Sequence, residues 1–215
     1  MRHSINSGRP RLARSRATAG VGALLTVIAV ATAECSSGTG PGPAPSESAP
    51  SAAAPLVAHA APMGKSTPDR VLIPAIDVDS TLMDLGLQAN GRLQVPPAGF
   101  PVGWYTGAPA PGELGPAILA GHVEWSGQPG VFYRLHELKA GDEVIVTRHD
   151  GTAAVFRVTR VDQFPKDEFP SDTVYGDIDN AGLRLITCGG SLDTQTHSYD
   201  SNIVAFADLV EARNT

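Results

Sequence analysis

Between Arg70 and the C-terminus the chain carries about eight short apolar runs, divided by turn signals, with almost no long amphipathic helix. Each such run hides only one face, so the runs must pool those faces around a shared core. The pattern argues for a mostly β fold, a closed or nearly closed β-barrel with short helical turns. The clearest runs are Val71-Leu72-Ile73-Pro74, 78–83, 116–123, 143–147, 154–164, 183–188 and 203–209. An Asn90-Gly91 hairpin signal sits inside 88–93. Residues 95–105 read as a loop, 106–115 as a polar link rich in Pro and Gly, and 131–138 as one helical turn with Phe132 and Leu135 on one side.

Composition sets modest bounds. The chain has 215 residues, 18% of them charged, and a formal net charge of -6, which argues against nucleic acid as a partner. Only the N-terminus is basic. Arg2, Arg9, Arg11, Arg14 and Arg16 precede a small-residue apolar run from Ala17 to Ala33, the layout of an export segment. Residues 1–34 therefore read as a signal peptide or a membrane anchor, and both stay open. Ala31-Thr32-Ala33 fits a cleavage site, and Cys35 invites lipidation, although Glu34 stands where a small residue is wanted. Residues 35–69 are rich in Pro, Ser and Ala and read as a disordered, extended linker. The folded domain is expected over 70–215, outside the membrane.

The chemistry concentrates in Leu183-Arg184-Leu185-Ile186-Thr187-Cys188-Gly189-Gly190, a branched-apolar strand that ends in a thiol and two glycines. Cys188 is the sole cysteine of the folded part, so it has no partner there for a disulfide. It is either a buried bystander or a reactive thiol. The glycines shift the balance toward the second, because they let backbone approach something closely at a strand end. A thiol attacks only as thiolate and needs a basic partner. His122 closes the run Ala117-Ile118-Leu119-Ala120 through Gly121 and repeats the Gly-flanked, strand-end setting of Cys188. His136 sits in the helical turn, His149 at a hairpin tip and His197 in a polar loop. None is spaced as a metal pair, and Asp172, Asp177 and Asp179 are too loosely placed for a calcium loop, so no metal and no cofactor is expected.

These residues carry a resemblance. The Thr187-Cys188-Gly189-Gly190 segment, Ala120-Gly121-His122-Val123 upstream, Val71-Leu72-Ile73-Pro74, and Asn202-Ile203-Val204-Ala205-Phe206-Ala207 together resemble the sortase transpeptidases, in particular the class F sortases of high-GC Gram-positive bacteria. The leader and Pro-rich spacer match that family's layout, and the likeness covers about 70–211.

The resemblance implies an eight-stranded sortase barrel with a Cys, His and Arg site. Cys188 would attack a Leu-Pro-x-Thr-Gly-type sorting signal and hold it as an acyl-thioester, while His122 would protonate the leaving amine and later take a proton from the incoming one. Thr187 would line the cleft, and backbone N–H groups near Gly189 would help hold the oxyanion. The implied partners are sorting-signal peptides of exported proteins, an amine of the peptidoglycan precursor, and the membrane through the N-terminal segment. The implied place is the cell envelope of a Gram-positive bacterium, and nothing argues against a monomer. One departure matters. The family's arginine normally lies early in the strand after the cysteine, but here that place reads Tyr199-Asp200-Ser201-Asn202, with no arginine between Ser191 and Val210. Arg184 shares side-chain parity with Cys188 yet lies about 13 Å away at strand rise. The arginine role stays open, so a non-catalytic or weakly active wall-associated binding domain on the same barrel is the alternative, and a secreted cysteine peptidase a third reading.

Overall fold

The computed structural model describes residues 59–196 and 198–215. The leader, Cys35, most of the spacer and His197 lie outside those residues. Ten strands follow in order: β1 (Pro68–Ile73), β2 (Val78–Leu85), β3 (Val102–Tyr105), β4 (Gly115–Ala120), β5 (Glu124–Trp125), β6 (Gln128–Pro129), β7 (Glu143–Arg148), β8 (Thr152–Pro165), β9 (Ala181–Asp193) and β10 (Ser198–Asn214). One short helix, α1 (Ser171–Tyr175), precedes β9. Eight strands close into a barrel in the order β1-β2-β3-β4-β9-β10-β8-β7, and β5 and β6 form a separate two-stranded hairpin. The closed, mostly β architecture is the one the alternation pointed to.

Period-two alternation sorts each strand between two apolar environments. Leu183 and Leu185 of β9, Ala205 and Ala207 of β10, and Ala117 and Leu119 of β4 face the barrel interior with Val71, Val146 and Phe156. Their neighbours in sequence turn outward. Ile118, Ile186, Val204 and Phe206 make a second cluster on the outer face, covered by Val174 of α1 and flanked by Phe164 and Phe169. A fully buried Leu, Val or Phe contributes about 1.5–3 kcal/mol, so this outer cluster anchors α1 on the barrel wall.

Local signals hold where the turn is local. The β7–β8 turn has Gly151 at φ 77°, and Asp150 Oδ1 accepts hydrogen bonds from the Thr152 N–H (3.1 Å) and hydroxyl (2.6 Å). The expected helical turn appears as a short 3-10 segment, Leu135–Glu137, with Phe132 and Leu135 fully buried.

Three segments differ from the sequence reading. Within the expected loop 95–105, Val102–Tyr105 forms β3, parallel to β2 and antiparallel to β4. Pro96, Pro97 and Pro101 mask so short a run, yet Val102 and Trp104 fill the core, and a Cβ at Gly103 would overlap the Leu85 side chain. Strand β10 outruns 203–209 in both directions, because its polar ends pair with β8 and β9 without hydrophobic alternation. The packed chain also begins before residue 70. Ala60 N–H donates to Leu209 O (2.9 Å), Met63 N–H donates to Gly112 O (2.8 Å), and the buried Arg148 guanidinium donates to Gly64 O and contacts Met63 Sδ at 2.9 Å.

Candidate active site

The site is built by a parallel pairing that no hairpin could supply. β4 and β9 run side by side in register, from Gly115 opposite Ala181 to Ala120 opposite Ile186, closed by a Gly121 N–H to Ile186 O bond of 3.1 Å. Because β9 is central, paired on both edges and covered on both faces, Ala181 to Thr187 are all buried. Cover opens at Cys188, which is half-buried and forms no disulfide among the described residues. Two residues past the last rung on each strand stand His122 and Cys188. Both share parity with the outward-facing Ile118 and Ile186, so both belong to the outer face of the barrel.

His122 is held tightly. A Cβ at Gly121 would press on Val131 (2.6 Å) and Phe132 (2.8 Å), which explains the glycine before it. The His122 carbonyl accepts the Phe132 N–H (2.9 Å), and its ring lies 4.8 Å from the Trp125 ring at 49°. Nε2 sits 2.8 Å from the Pro96 carbonyl oxygen. A carbonyl only accepts, so Nε2 carries the proton in this bond, and in the neutral ring Nδ1 is the basic nitrogen. The β5–β6 hairpin turns through Ser126 (φ 52°) and Gly127 (φ 75°), both in the left-handed region that a tight hairpin requires. It brings Glu124 to the Tyr199 hydroxyl, 3.4 Å away. Burial foremost, then the Glu124 carboxylate, with Cys188 and Tyr133 contributing less, push the Tyr199 hydroxyl above the ordinary tyrosine range.

The other sequence-selected residues fall elsewhere. Thr187 is buried and shares parity with Leu183 and Leu185, opposite Ile203, so its side chain faces the barrel interior rather than the outer groove. The outward positions of β9 are the even-numbered ones. Gly189 packs against Ile203, where a Cβ would come within 2.5 Å of Cδ1. Arg184 is buried, its guanidinium 4.7 Å over the Phe206 ring, with Nη1 donating to Leu183 O (3.1 Å). That Nη1 also lies 3.1 Å from where a Gly182 Cβ would be, so the head leans away from Cys188. Burial pulls the Arg184 guanidinium below the usual arginine range, with Asp208 opposing. Asp200, in the family's arginine place, is tied down. Its Oδ1 accepts the Ser191 N–H (3.1 Å) and the Ser201 hydroxyl (2.7 Å) across a bulge where Gly190 has φ 82°. Among the described residues no group of three or more His, Cys, Asp or Glu gathers as a metal site.

The model of the sortase domain matches residues 71–210. The chain belongs to the sortase family. Solved sortases share the fold of this one. Sortase A of Listeria monocytogenes superposes with a TM-score of 0.53 at 18% identity, covering 71% of this chain and 92% of that one. A lid mutant of Corynebacterium diphtheriae sortase A gives 0.52 at 16%, covering 69% and 73%. Sortase C-1 of Actinomyces oris gives 0.50 at 21%, covering 66% and 73%. No curated protein matches the chain in sequence. Sortases are transpeptidases that act on sorting signals at the cell envelope of Gram-positive bacteria, and this chain carries their domain. Among the described residues no helix is long and apolar enough to cross a membrane.

Proposed function

We propose that this sortase is of class F type and works through Cys188 and His122 on a Leu-Pro-x-Thr-Gly-type sorting signal. The observation that carries the reading is the position of the two residues, each two positions past the last rung of the parallel β4–β9 ladder and on one face. In the first step the Cys188 S–H proton passes to His122 Nδ1, the Sγ–C bond forms as the Thr–Gly C–N bond breaks, and His122 gives that proton to the leaving amine. In the second an amine of the peptidoglycan precursor attacks the thioester. The new C–N bond forms, the C–S bond breaks, and the incoming amine's proton passes to His122. Residues 1–34 hold or export the chain, the Pro-rich stretch before the docked strap at Ala60 spaces it from the membrane, and the barrel does the chemistry as a monomer.

The test incubates the full chain with a Leu-Pro-x-Thr-Gly peptide, with and without an amine acceptor, and follows it by mass spectrometry. The expected result is an adduct on Cys188 that the amine converts to ligated peptide, absent in Cys188→Ala. Neither adduct nor product across a panel of sorting peptides would sink the proposal. The second reading, a binding domain without turnover, draws on one observation: position 200 is an aspartate bonded to Ser191 and Ser201 rather than a free cation.

A further inference from the structure

Cys188 has a neighbour on each side. On the β4 side His122 stands two positions past the last rung, level with Cys188, and on the β10 side the register sets Asn202 directly opposite Cys188. Directly paired residues of an antiparallel ladder carry their Cβ atoms about 4.5–5.5 Å apart on the same face. Asn202 shares parity with Val204 and Phe206 of the outer cluster, and its partner on the other edge is Phe164, which packs on that same cluster. Asn202 is half-buried, so it is partly desolvated yet open to a ligand. One row thus crosses the outer face in the order His122, Cys188, Asn202, Phe164.

Asp200 has no comparable position. It sits in the bulge between the Tyr199 and Ser201 pairs, and its carboxylate closes back on Ser191 and Ser201. A carboxylate there would also repel a developing oxyanion.

We infer that Asn202 takes the place of the family's arginine, its side-chain amide donating a hydrogen bond to the substrate carbonyl oxygen as Cys188 attacks. The inference rests on the transpeptidase reading above. When Sγ adds to the carbonyl carbon, the C=O π pair moves onto oxygen, and a donor across the strand from Sγ meets that charge as it forms. A neutral amide is a weaker donor than a guanidinium, since charge-assisted hydrogen bonds are about twice as strong as neutral ones. The site is accordingly a slower sortase site, not a dead one.

The test compares the full chain with Asn202→Ala and Asn202→Asp by the rate of acyl-enzyme formation on a Leu-Pro-x-Thr-Gly peptide. Iodoacetamide alkylation of Cys188 and the melting temperature are followed alongside. Asn202→Ala is expected to slow acylation about 100-fold with KM little changed, the size seen on loss of one oxyanion donor. Asn202→Asp, of the same shape, should slow it at least as much, while alkylation of Asn202→Ala stays within about threefold of wild type. Acylation within about threefold of wild type in both Asn202 variants would overturn the inference while leaving the transpeptidase reading intact. A wild-type chain that forms no acyl-enzyme with any sorting peptide removes both readings together.

Discussion

The His122 ring is fastened to the chain before β3, with Nε2 2.8 Å from the carbonyl oxygen of Pro96. That bond fixes which ring nitrogen holds the proton, and contacts with Trp125 and the Phe132 N–H fix the rest of the residue. The same neighbourhood excludes side chains at Gly130, where a Cβ would overlap the His122 carbonyl. Gly130→Ala must therefore push the His122 backbone aside. A displacement of about 1 Å at a reacting group costs on the order of 100-fold in rate. The expected outcome is a loss of that order in peptide ligation, with Cys188 alkylation and the near-UV circular dichroism retained.

Arg184 tests where a guanidinium is needed. Its head lies over Phe206 and leans toward Gly182, and Arg160 covers the other approach to the same ring at 3.7 Å. Arg184→Met keeps the aliphatic volume and removes a buried charge whose Nε has no partner among the described residues. Replacing a buried ionic group by an apolar one of similar size is often neutral or stabilising. Ligation within about threefold of wild type is expected, with an unchanged or raised melting temperature. A loss of more than 10-fold, with the fold intact, would bring Arg184 back into the site.

Arg148 fastens the N-terminal strap. Its side chain is fully buried, donates to Gly64 O, contacts Met63 Sδ at 2.9 Å and approaches Asp150 at 3.4 Å. Hydrogen bonds made by a charged group contribute about 1.5–3 kcal/mol each. Arg148→Ala should lower the stability by about 2–3 kcal/mol in urea titration. Deleting residues 59–67 from the full chain should give a similar loss, and little further loss when combined with Arg148→Ala, because both changes break the same contact.

The pH dependence of stability has an acid edge set by exposed aspartates. Hydrogen bonding to Arg70 holds Asp79 below the ordinary carboxylate range, the Thr152 hydroxyl does so for Asp150, and the Ser201 hydroxyl for Asp200. A carboxyl with a depressed folded pKa contributes stability above its unfolded value of about 3.9, lost as pH falls through the folded value. Tyr175 works in the opposite sense, since burial raises its pKa. Its contribution is present below the unfolded value of about 10 and is lost as pH rises through the folded one. The melting temperature should fall below about pH 4. Asp150→Asn should show a shallower acid slope, and equal slopes for the two chains would refute this assignment.

By itself the sequence determined most of the strand content and singled out Cys188 and His122 as the candidate pair. Alternation is a local property, so Leu183, Leu185 and their outward neighbours Ile186 and Cys188 can be sorted without coordinates. The β7–β8 turn is equally local, written in Asp150 and Gly151. What only the tertiary structure decided is adjacency. β4 pairs with β9 across a long stretch of intervening chain, and nothing in either strand names the other, because the driving force is shared burial rather than a specific contact. The short β3, hidden among prolines, forms because Val102 and Trp104 complete the interior, and the strap at Ala60 and Met63 docks because Arg148 meets it from inside. Asn202 belongs to the same class. In sequence it is one polar residue after Ser201, and the bulge at Asp200 decides the register that sets it beside the thiol.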